Sequence, residues 1–193
     1  MFAILHALLL VFNSLVLGLE ILGAAYQETN PSFFLLILSL ILLIGGIVLW
    51  WRRSVILAEE LPGTWRSRLR WLLMLPVVLL FAANACLCSI LLLMLPEVFC
   101  QTKLDPLLAR PVEVAFVAFI CFVGVTSAAL AAPRQRLAVA IITALLTVIL
   151  ARHLTAYWLA LLIGALLGVA AVRWGIGSRP ACPAAADGPT IDH

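Results

Sequence analysis

The chain has 193 residues, of which 65% are hydrophobic and only 11% are charged, and its formal net charge is +3. A soluble globular domain carries about 25% charged residues, so this composition excludes an ordinary soluble domain and indicates an integral membrane protein. The small net charge and the lack of a basic face also exclude a role in nucleic-acid binding.

The apolar runs predict an all-α, polytopic membrane protein with about six transmembrane helices. A bilayer core of about 30 Å requires roughly 20 apolar residues in a helix, and runs near that length recur along the chain, the fifth being shorter. The predicted spans are 2–25, 33–51, 71–95, 112–132, 136–151 and 156–172. Residues 1–174 would then be one transmembrane domain, followed by a disordered cytoplasmic tail over residues 175–193, which is rich in small residues and proline.

The first apolar run allows two interpretations. Residues 23–25, Gly-Ala-Ala, are typical of a signal-peptide cleavage site. However, no basic residue precedes the run, and Asn13 and Glu20 interrupt it. We therefore predict that it is retained as the first span, and either interpretation places residues 26–32 outside.

The polar interval from Trp50 to Trp71 sets the predicted sidedness. Basic loops stay on the cytoplasmic side of a membrane, and tryptophan prefers the headgroup region. With both termini inside, the basic residues divide into an inner set of Arg52, Arg53, Arg66, Arg68, Arg70, Arg134, Arg136, Arg173 and Arg179, and an outer set of Lys103, Arg110 and Arg152. This bias predicts that both termini are cytoplasmic (N-in/C-in), in a plasma membrane or a bacterial inner membrane.

Prolines and a helix cap set further expectations for the third and fourth helices. Thr64 is a suitable N-cap for a helix that begins near Trp65, runs first along the membrane surface and then enters the bilayer. Pro76 should kink that helix. Pro111 suits the first turn of the fourth helix, where the helix dipole would favour the carboxylate of Glu113.

Three polar residues of the first span, His6, Asn13 and Glu20, recur every seven residues and therefore share one stripe of the helix. At 1.5 Å per residue, His6 and Glu20 lie about 21 Å apart along the axis, so only Asn13 is near the midplane. The stripe is either a packing surface with interfacial ends or part of a pathway, because polar residues in spans usually face the bundle or a watery cavity.

A pathway would require polar groups from other spans. Asn84 is near the midplane of the third span, and Glu20, Glu113, Arg152 and His153 fall at a similar depth on the outer side. An outer polar mouth is therefore one hypothesis, with interhelical hydrogen bonding as the simpler alternative for Asn84. The candidate pathway residues are His6, Asn13, Glu20, Asn84, Glu113, Arg152 and His153.

Small residues predict close helix packing in the last two spans. Gly164 and Gly168 form a GxxxG motif, a pattern that allows helix backbones to approach each other. Ala140 and Ala144 give the fifth helix a similar small face, so we expect the fifth and sixth helices to pack as an antiparallel hairpin. A second interpretation is that the glycine face forms an interface between copies of the chain.

No catalytic or metal-binding motif occurs in the sequence, which contains no HExxH, no Walker-type glycine loop and no GxSxG. We therefore expect no enzyme activity, no cofactor and no metal. Two hypotheses of different class remain. The first is a non-catalytic membrane protein that assembles with or supports a membrane partner, or forms a homo-oligomer, in the lipid bilayer. The alternative is a small-solute, ion or proton transporter, or a channel-like module, with an outer polar mouth.

Overall fold

A computed structural model describes residues 2–26, 33–56, 65–99, 106–154 and 157–177 of the protein. These residues form six α-helices, and no strand occurs among them. The helices are α1 (Phe2–Ala25), α2 (Phe33–Ile56), α3 (Trp65–Phe99), α4 (Pro106–Ala131), α5 (Arg136–Leu154) and α6 (Trp158–Gly177). The all-α fold class predicted from the apolar runs is confirmed.

Five of the described helices contain stretches that are long and apolar enough to cross a membrane. These stretches are Leu5–Ala25, Phe33–Arg52, Ser67–Met94, Ala109–Ala131 and Trp158–Gly175. The apolar stretch of α5, Arg136–Leu150, is shorter. At 1.5 Å per residue it covers about 22 Å, less than the hydrocarbon core of about 30 Å. The fold is that of a polytopic helical membrane protein.

Several helices continue beyond the predicted spans. In the structure α2 ends at Ile56 instead of residue 51, and α6 ends at Gly177 instead of residue 172. Arginine is a good helix former, and its aliphatic stem can lie along an apolar surface while its charge reaches water. The arginine-rich flanks therefore extend these helices past the apolar windows. The described helix α3 runs through Pro76 without interruption, and the predicted cap Thr64 lies outside the described residues.

The predicted start of the fourth helix is wrong. It begins at Pro106, which takes the favoured place of proline at a helix start, and Pro111 lies inside it. Glu113 is therefore beyond the first turn, which contains no acidic residue. Because the helix dipole acts on the first turn only, it does not account for this carboxylate.

Helix α4 is the centre of the bundle. It packs against α2, α3, α5 and α6, while α1 packs on α2 and α3. The buried core of the second half combines α4, α5 and α6 through Cys121, Val125, Ala129, Ala140, Ala165 and Val172. Two further clusters lie in the first half. One contains Leu10, Leu43, Phe81, Ala85 and Val123, and the other contains Leu17, Leu36, Cys88 and Leu91.

The glycine face of α6 packs against α4. A Cβ added at Gly164 would overlap the backbone of Ala118, and one added at Gly168 would lie 3.0 Å from the side chain of Val125. The predicted packing of α5 against α6 is present, and Ala140 is fully buried in the core that α5 shares with α4 and α6. The glycines themselves, which we expected to face α5, contact α4. This face is therefore occupied by α4 within the chain.

We expect Gly164→Ala to destabilise the folded protein by about 1–3 kcal/mol, the usual cost of overfilling a packed interface. The added Cβ would lie 2.8 Å from the carbonyl carbon of Ala118, a backbone atom that cannot rotate away. The unfolding midpoint in mixed micelles, followed by circular dichroism during titration with SDS, measures the effect. The matched control is Gly18→Ala, because no atom lies within 4 Å of a Cβ at Gly18. Equal midpoints for the two variants would contradict this packing.

Candidate functional site

The first three helices meet along a seam with coiled-coil spacing. Each contributes buried residues at alternating intervals of three and four, the pattern that places side chains of one helix between those of its neighbours. The buried positions are His6, Leu10, Asn13 and Leu17 in α1, Leu36, Ser39, Leu43 and Gly46 in α2, and Phe81, Asn84, Cys88 and Leu91 in α3. One polar residue per helix falls at the middle of this seam.

These polar residues form a hydrogen-bonded group that we call the polar layer, consisting of Asn13, Ser14, Ser39 and Asn84. The Nδ2 of Asn13 donates to the Oγ of Ser39 at 2.6 Å and to the Oδ1 of Asn84 at 3.3 Å. The hydroxyl of Ser14 also donates to the Oδ1 of Asn84, at 3.4 Å. Asn13 is 2% exposed, and Ser39 and Asn84 are fully buried. The layer therefore joins α1, α2 and α3 inside the bundle.

Apolar residues close the polar layer on both sides along the bundle axis. On one side are Leu17, Leu36 and Leu91, and on the other are Leu10 and Leu43, all 0–1% exposed. Because no carboxylate or basic side chain takes part in the layer's hydrogen bonds, it is neutral. Neutral interhelical hydrogen bonds in a membrane stabilise a helix bundle by about 0.6 kcal/mol each.

Each carboxamide of the polar layer keeps one group without a partner. The Oδ1 of Asn13 and the Nδ2 of Asn84 are buried and form no hydrogen bond. Turning both carboxamides over preserves the contact between them but leaves the other half of each amide unpaired. In either arrangement the layer holds one unused donor and one unused acceptor. A small molecule or a water with both hydrogen-bonding functions would satisfy them.

His6 lies one heptad from Asn13, in a separate pocket. Its ring stacks on Phe81 with a centroid distance of 6.3 Å and an interplanar angle of 27°, and it hydrogen-bonds the backbone of Leu42. A Cβ at Gly46 would overlap the imidazole, so this glycine provides the space for the ring. The Nε2 of His6 is buried without a partner. The fully buried Leu10 lies between His6 and the polar layer.

A narrow cleft lies near this histidine pocket, between α2, α3 and α4. It is too tight to admit a water molecule. The lining residues are Ile47, Trp50, Val77, Phe81, Ser127 and Leu130. The cleft therefore provides no aqueous route to His6.

At the opposite end of the bundle, Tyr157 donates a hydrogen bond from its hydroxyl to the Oε2 of Glu113 at 2.7 Å. This bond and the negative charge of Glu113 raise the pKa of the Tyr157 phenol, against an opposing effect of Arg110. Sequence analysis did not identify Tyr157. Its position just before the sixth span, at the depth of Glu113, is the signal that could have indicated the pair.

Among the other residues of the predicted mouth, the structure separates Glu20 from this pair. Glu20 belongs to α1, which packs on α2 and α3 and not on α4 among the described residues. Arg152 is exposed on α5. His153 also belongs to α5, but its side chain lies outside the described part of the molecule. The mouth as a whole stays a prediction.

Sequence analysis also missed Ser39, the main partner of Asn13. This serine is the only residue with a polar side chain in the span 33–51, and a lone hydroxyl in an otherwise apolar span indicates an interhelical hydrogen bond. An interhelical hydrogen bond of Ser39 could therefore have been predicted. Its partner could not, because the sequence does not give the rotation of α2 that turns Ser39 towards Asn13.

No three His, Cys, Asp or Glu side chains come together in a metal-binding arrangement within the described residues. The groups that do converge are carboxamides and hydroxyls in the polar layer. These groups hydrogen-bond to one another across the three helices.

Comparison of the chain with protein families, with curated proteins and with solved structures gives no match. The proposal of a function therefore rests on the polar layer, the histidine pocket and the packing of the helices.

We expect Asn13 and Asn84 to be energetically coupled. A double-mutant cycle with Asn13→Ala and Asn84→Ala should give a coupling free energy of about 0.6 kcal/mol, and at most about 1.7 kcal/mol, because the two carboxamides share a hydrogen bond. SDS-induced unfolding of the four proteins measures it. Ser89→Ala is the control, since the Ser89 hydroxyl donates to the Ala85 carbonyl of its own helix. Additive effects of the two alanine substitutions would contradict the pairing.

We expect Glu113→Gln to lower the pKa of Tyr157. The carboxylate accepts the phenol's hydrogen bond and opposes formation of the phenolate, so its neutralisation should move deprotonation back towards the ordinary value of about 10. Ultraviolet absorbance titration measures this in a Tyr26→Phe background, where Tyr157 is the only tyrosine. Arg110→Gln should shift the pKa in the opposite direction. An unchanged titration curve in both variants would show that the contact is not formed.

Proposed function

We propose that the protein is a non-catalytic membrane protein that assembles with, or supports, a membrane partner. The observation that carries this proposal is the closed polar layer. Its hydrogen bonds join the chain's own helices, and buried leucines cover it on both sides. A buried polar group in a coiled-coil seam specifies the register of the helices, which supports a structural role for Asn13, Ser39 and Asn84.

Helix α5 supports the expectation of a partner, because its outer face is apolar and its apolar stretch is shorter than the bilayer core. The apolar stretch of α5 covers about 22 Å, and a short span is accommodated by bilayer thinning or by association with other helices. Its outward face is formed by the exposed residues Ile141, Ile142, Leu145, Leu146, Ile149 and Leu150. We infer that the partner contacts this face, because the small-residue faces of α5 and α6 are occupied within the chain.

The distribution of charge supports the N-in/C-in orientation as part of this proposal. The end of α2 lies beside the end of α6, because Trp51 packs against Gly175. The described side chains at this end of the bundle include Arg52 and Arg173, whereas Glu113 is at the other end. The positive-inside rule assigns an arginine-rich end to the cytoplasm. A plasma membrane or a bacterial inner membrane provides this arrangement.

Transport is the second candidate function, and a separate observation favours it. The Oδ1 of Asn13, the Nδ2 of Asn84 and the Nε2 of His6 are buried and unpaired. Unpaired polar groups inside a bundle are typical of a route for water, protons or a small solute. Leu10 separates the histidine from the asparagines in this structure, so a route would require a second conformation in which that side chain moves.

Reconstituted vesicles distinguish the two candidates. For the proposed assembly role, we expect the purified protein to release no protons, K⁺ or small neutral solutes above the rate of protein-free vesicles. Fluorescence assays of internal pH and potential, together with solute-driven swelling, measure this. A flux that Asn13→Ala abolishes and Ser89→Ala retains would overturn the proposal in favour of transport.

The same proposal predicts where the partner binds. A photo-crosslinking residue in place of Leu145 on α5 should form a discrete protein adduct in native membranes, while one in place of Leu15 on α1 should react with lipid alone. Both leucines are exposed, so exposure is matched between the two positions. Lipid adducts alone at both positions would contradict the assignment of α5 as the partner-facing helix.

A further inference from the structure

The turn between α4 and α5, residues 132–135, is a tightly held element. The amide of Ala132 donates to the carbonyl of Ala128 at 3.1 Å, and the amide of Val139 donates to the carbonyl of Gln135 at 3.0 Å. Pro133 is fully buried, and Gln135 has a φ of 49°, in the left-handed region that reverses the chain. The turn therefore holds its side chains in defined places relative to both helices.

Arg134 projects from this turn with an unusual environment. The residue is partly exposed, yet its Nε is buried and forms no hydrogen bond. A buried donor on a charged group without an acceptor is unfavourable, and an anion that accepts from this Nε would remove the deficit. The Nε is thus packed against protein, although the residue as a whole is partly exposed.

A second guanidinium is directed to the same turn. The Nε of Arg136 donates to the carbonyl of Ala132 at 3.5 Å, which holds this side chain against the last residues of α4. Two cationic side chains, Arg134 within the turn and Arg136 directly after it, are therefore held at this place. Guanidinium groups match the oxygen atoms of phosphate through pairs of parallel hydrogen bonds.

The turn lies at the arginine-rich end of the bundle, at the depth expected for lipid headgroups. Ser127 and Leu130, just before the turn, line the cleft together with Ile47 and Trp50 of α2. Trp51 and Trp174 are exposed at this end, and exposed tryptophans mark the headgroup region. The acidic side chains that the structure describes, Glu20 and Glu113, are in other parts of the bundle, and Glu59 and Glu60 lie outside the described residues.

We propose that Arg134, assisted by Arg136, binds the phosphate group of an anionic phospholipid at the arginine-rich end of the bundle. In this proposal the side chain of Arg134 turns outwards on binding, so that the Nε that has no acceptor within the protein and a terminal nitrogen donate in parallel to the phosphate. Free phosphate offers the same chemistry. The lipid is the better fit because its acyl chains can lie along the adjacent apolar face of α5, where Ile141 and Ile142 are exposed.

Native mass spectrometry of the full-length protein in detergent tests this site. The probes are phosphatidylglycerol, phosphatidylcholine and inorganic phosphate. We expect phosphatidylglycerol to be retained in preference to phosphatidylcholine, and Arg134→Gln to weaken its binding at least roughly tenfold, because the loss of even one hydrogen bond to a charged group has that effect. Arg152→Gln is the matched control, because Arg152 is an exposed arginine at the other end of α5. This variant should bind phosphatidylglycerol as the native protein does.

Three results would overturn the proposal. They are equal binding by Arg134→Gln and the native protein, equal retention of the two lipids, and displacement of phosphatidylglycerol by millimolar inorganic phosphate, which would identify a site for the free anion. Arg134→Lys keeps the charge but loses the planar pair of donors, so it should bind with intermediate affinity. This variant also keeps the test decisive if Arg134→Gln does not fold. The thermal midpoint with and without phosphatidylglycerol gives a second readout, with stabilisation expected in the native protein and lost in Arg134→Gln.

Discussion

The hydrogen bonds among Asn13, Ser39 and Asn84 determine how the first half of the molecule is assembled. In a bilayer, the lipid tails are as apolar as leucine, so apolar burial gives helices little reason to prefer one neighbour over another. Leucines above and below the polar layer would tolerate a shift or rotation of α1 against α2 and α3. The polar layer would not, because another register would break the hydrogen bonds that Asn13, Ser39 and Asn84 form here and leave more buried polar groups without partners.

The second half of the molecule is held by a different interaction, the contact of backbones. Gly164 allows α6 to approach Ala118 of α4, and the small residues Ala129, Ala140 and Ala165 fill the space that α5 shares with both helices. Close approach increases the number of favourable van der Waals contacts, which are the main attraction between apolar helices in lipid. Helix α4 connects the two halves, because it packs against α2 and α3 of the first and against α5 and α6 of the second.

The packing of the helices determines which surfaces can contact other molecules. The polar groups near the midplane are largely engaged with one another, and the glycine face is filled. Among the described residues, the remaining surfaces are the arginine-rich end and the outward apolar faces, including that of α5, whose apolar stretch is the shortest. The proposed partner helix and the acyl chains of the proposed lipid would both contact the apolar face of α5 at Ile141 and Ile142. Arg134 is not part of that face, so its substitution tests lipid binding without changing the surface proposed for the partner.

The sequence by itself determined the class of protein, the number of helices and the positions of their polar residues. Span length and hydropathy are local properties that the bilayer thickness constrains. The all-α membrane fold and the seven-residue spacing of His6 and Asn13 could therefore be predicted from the sequence. Helix ends were less accurate, because Arg and Trp flanks extend α2 and α6 beyond the apolar windows.

Only the tertiary structure decided which residues meet. It placed α4 against the glycine face where α5 was expected, paired Asn13 with Ser39 as well as Asn84, and joined Glu113 to Tyr157. These outcomes depend on the order and rotation of helices in the bundle. Because apolar helices are chemically alike to the lipid, order and rotation follow from shape complementarity and a few polar contacts between distant segments, which no single stretch of sequence contains.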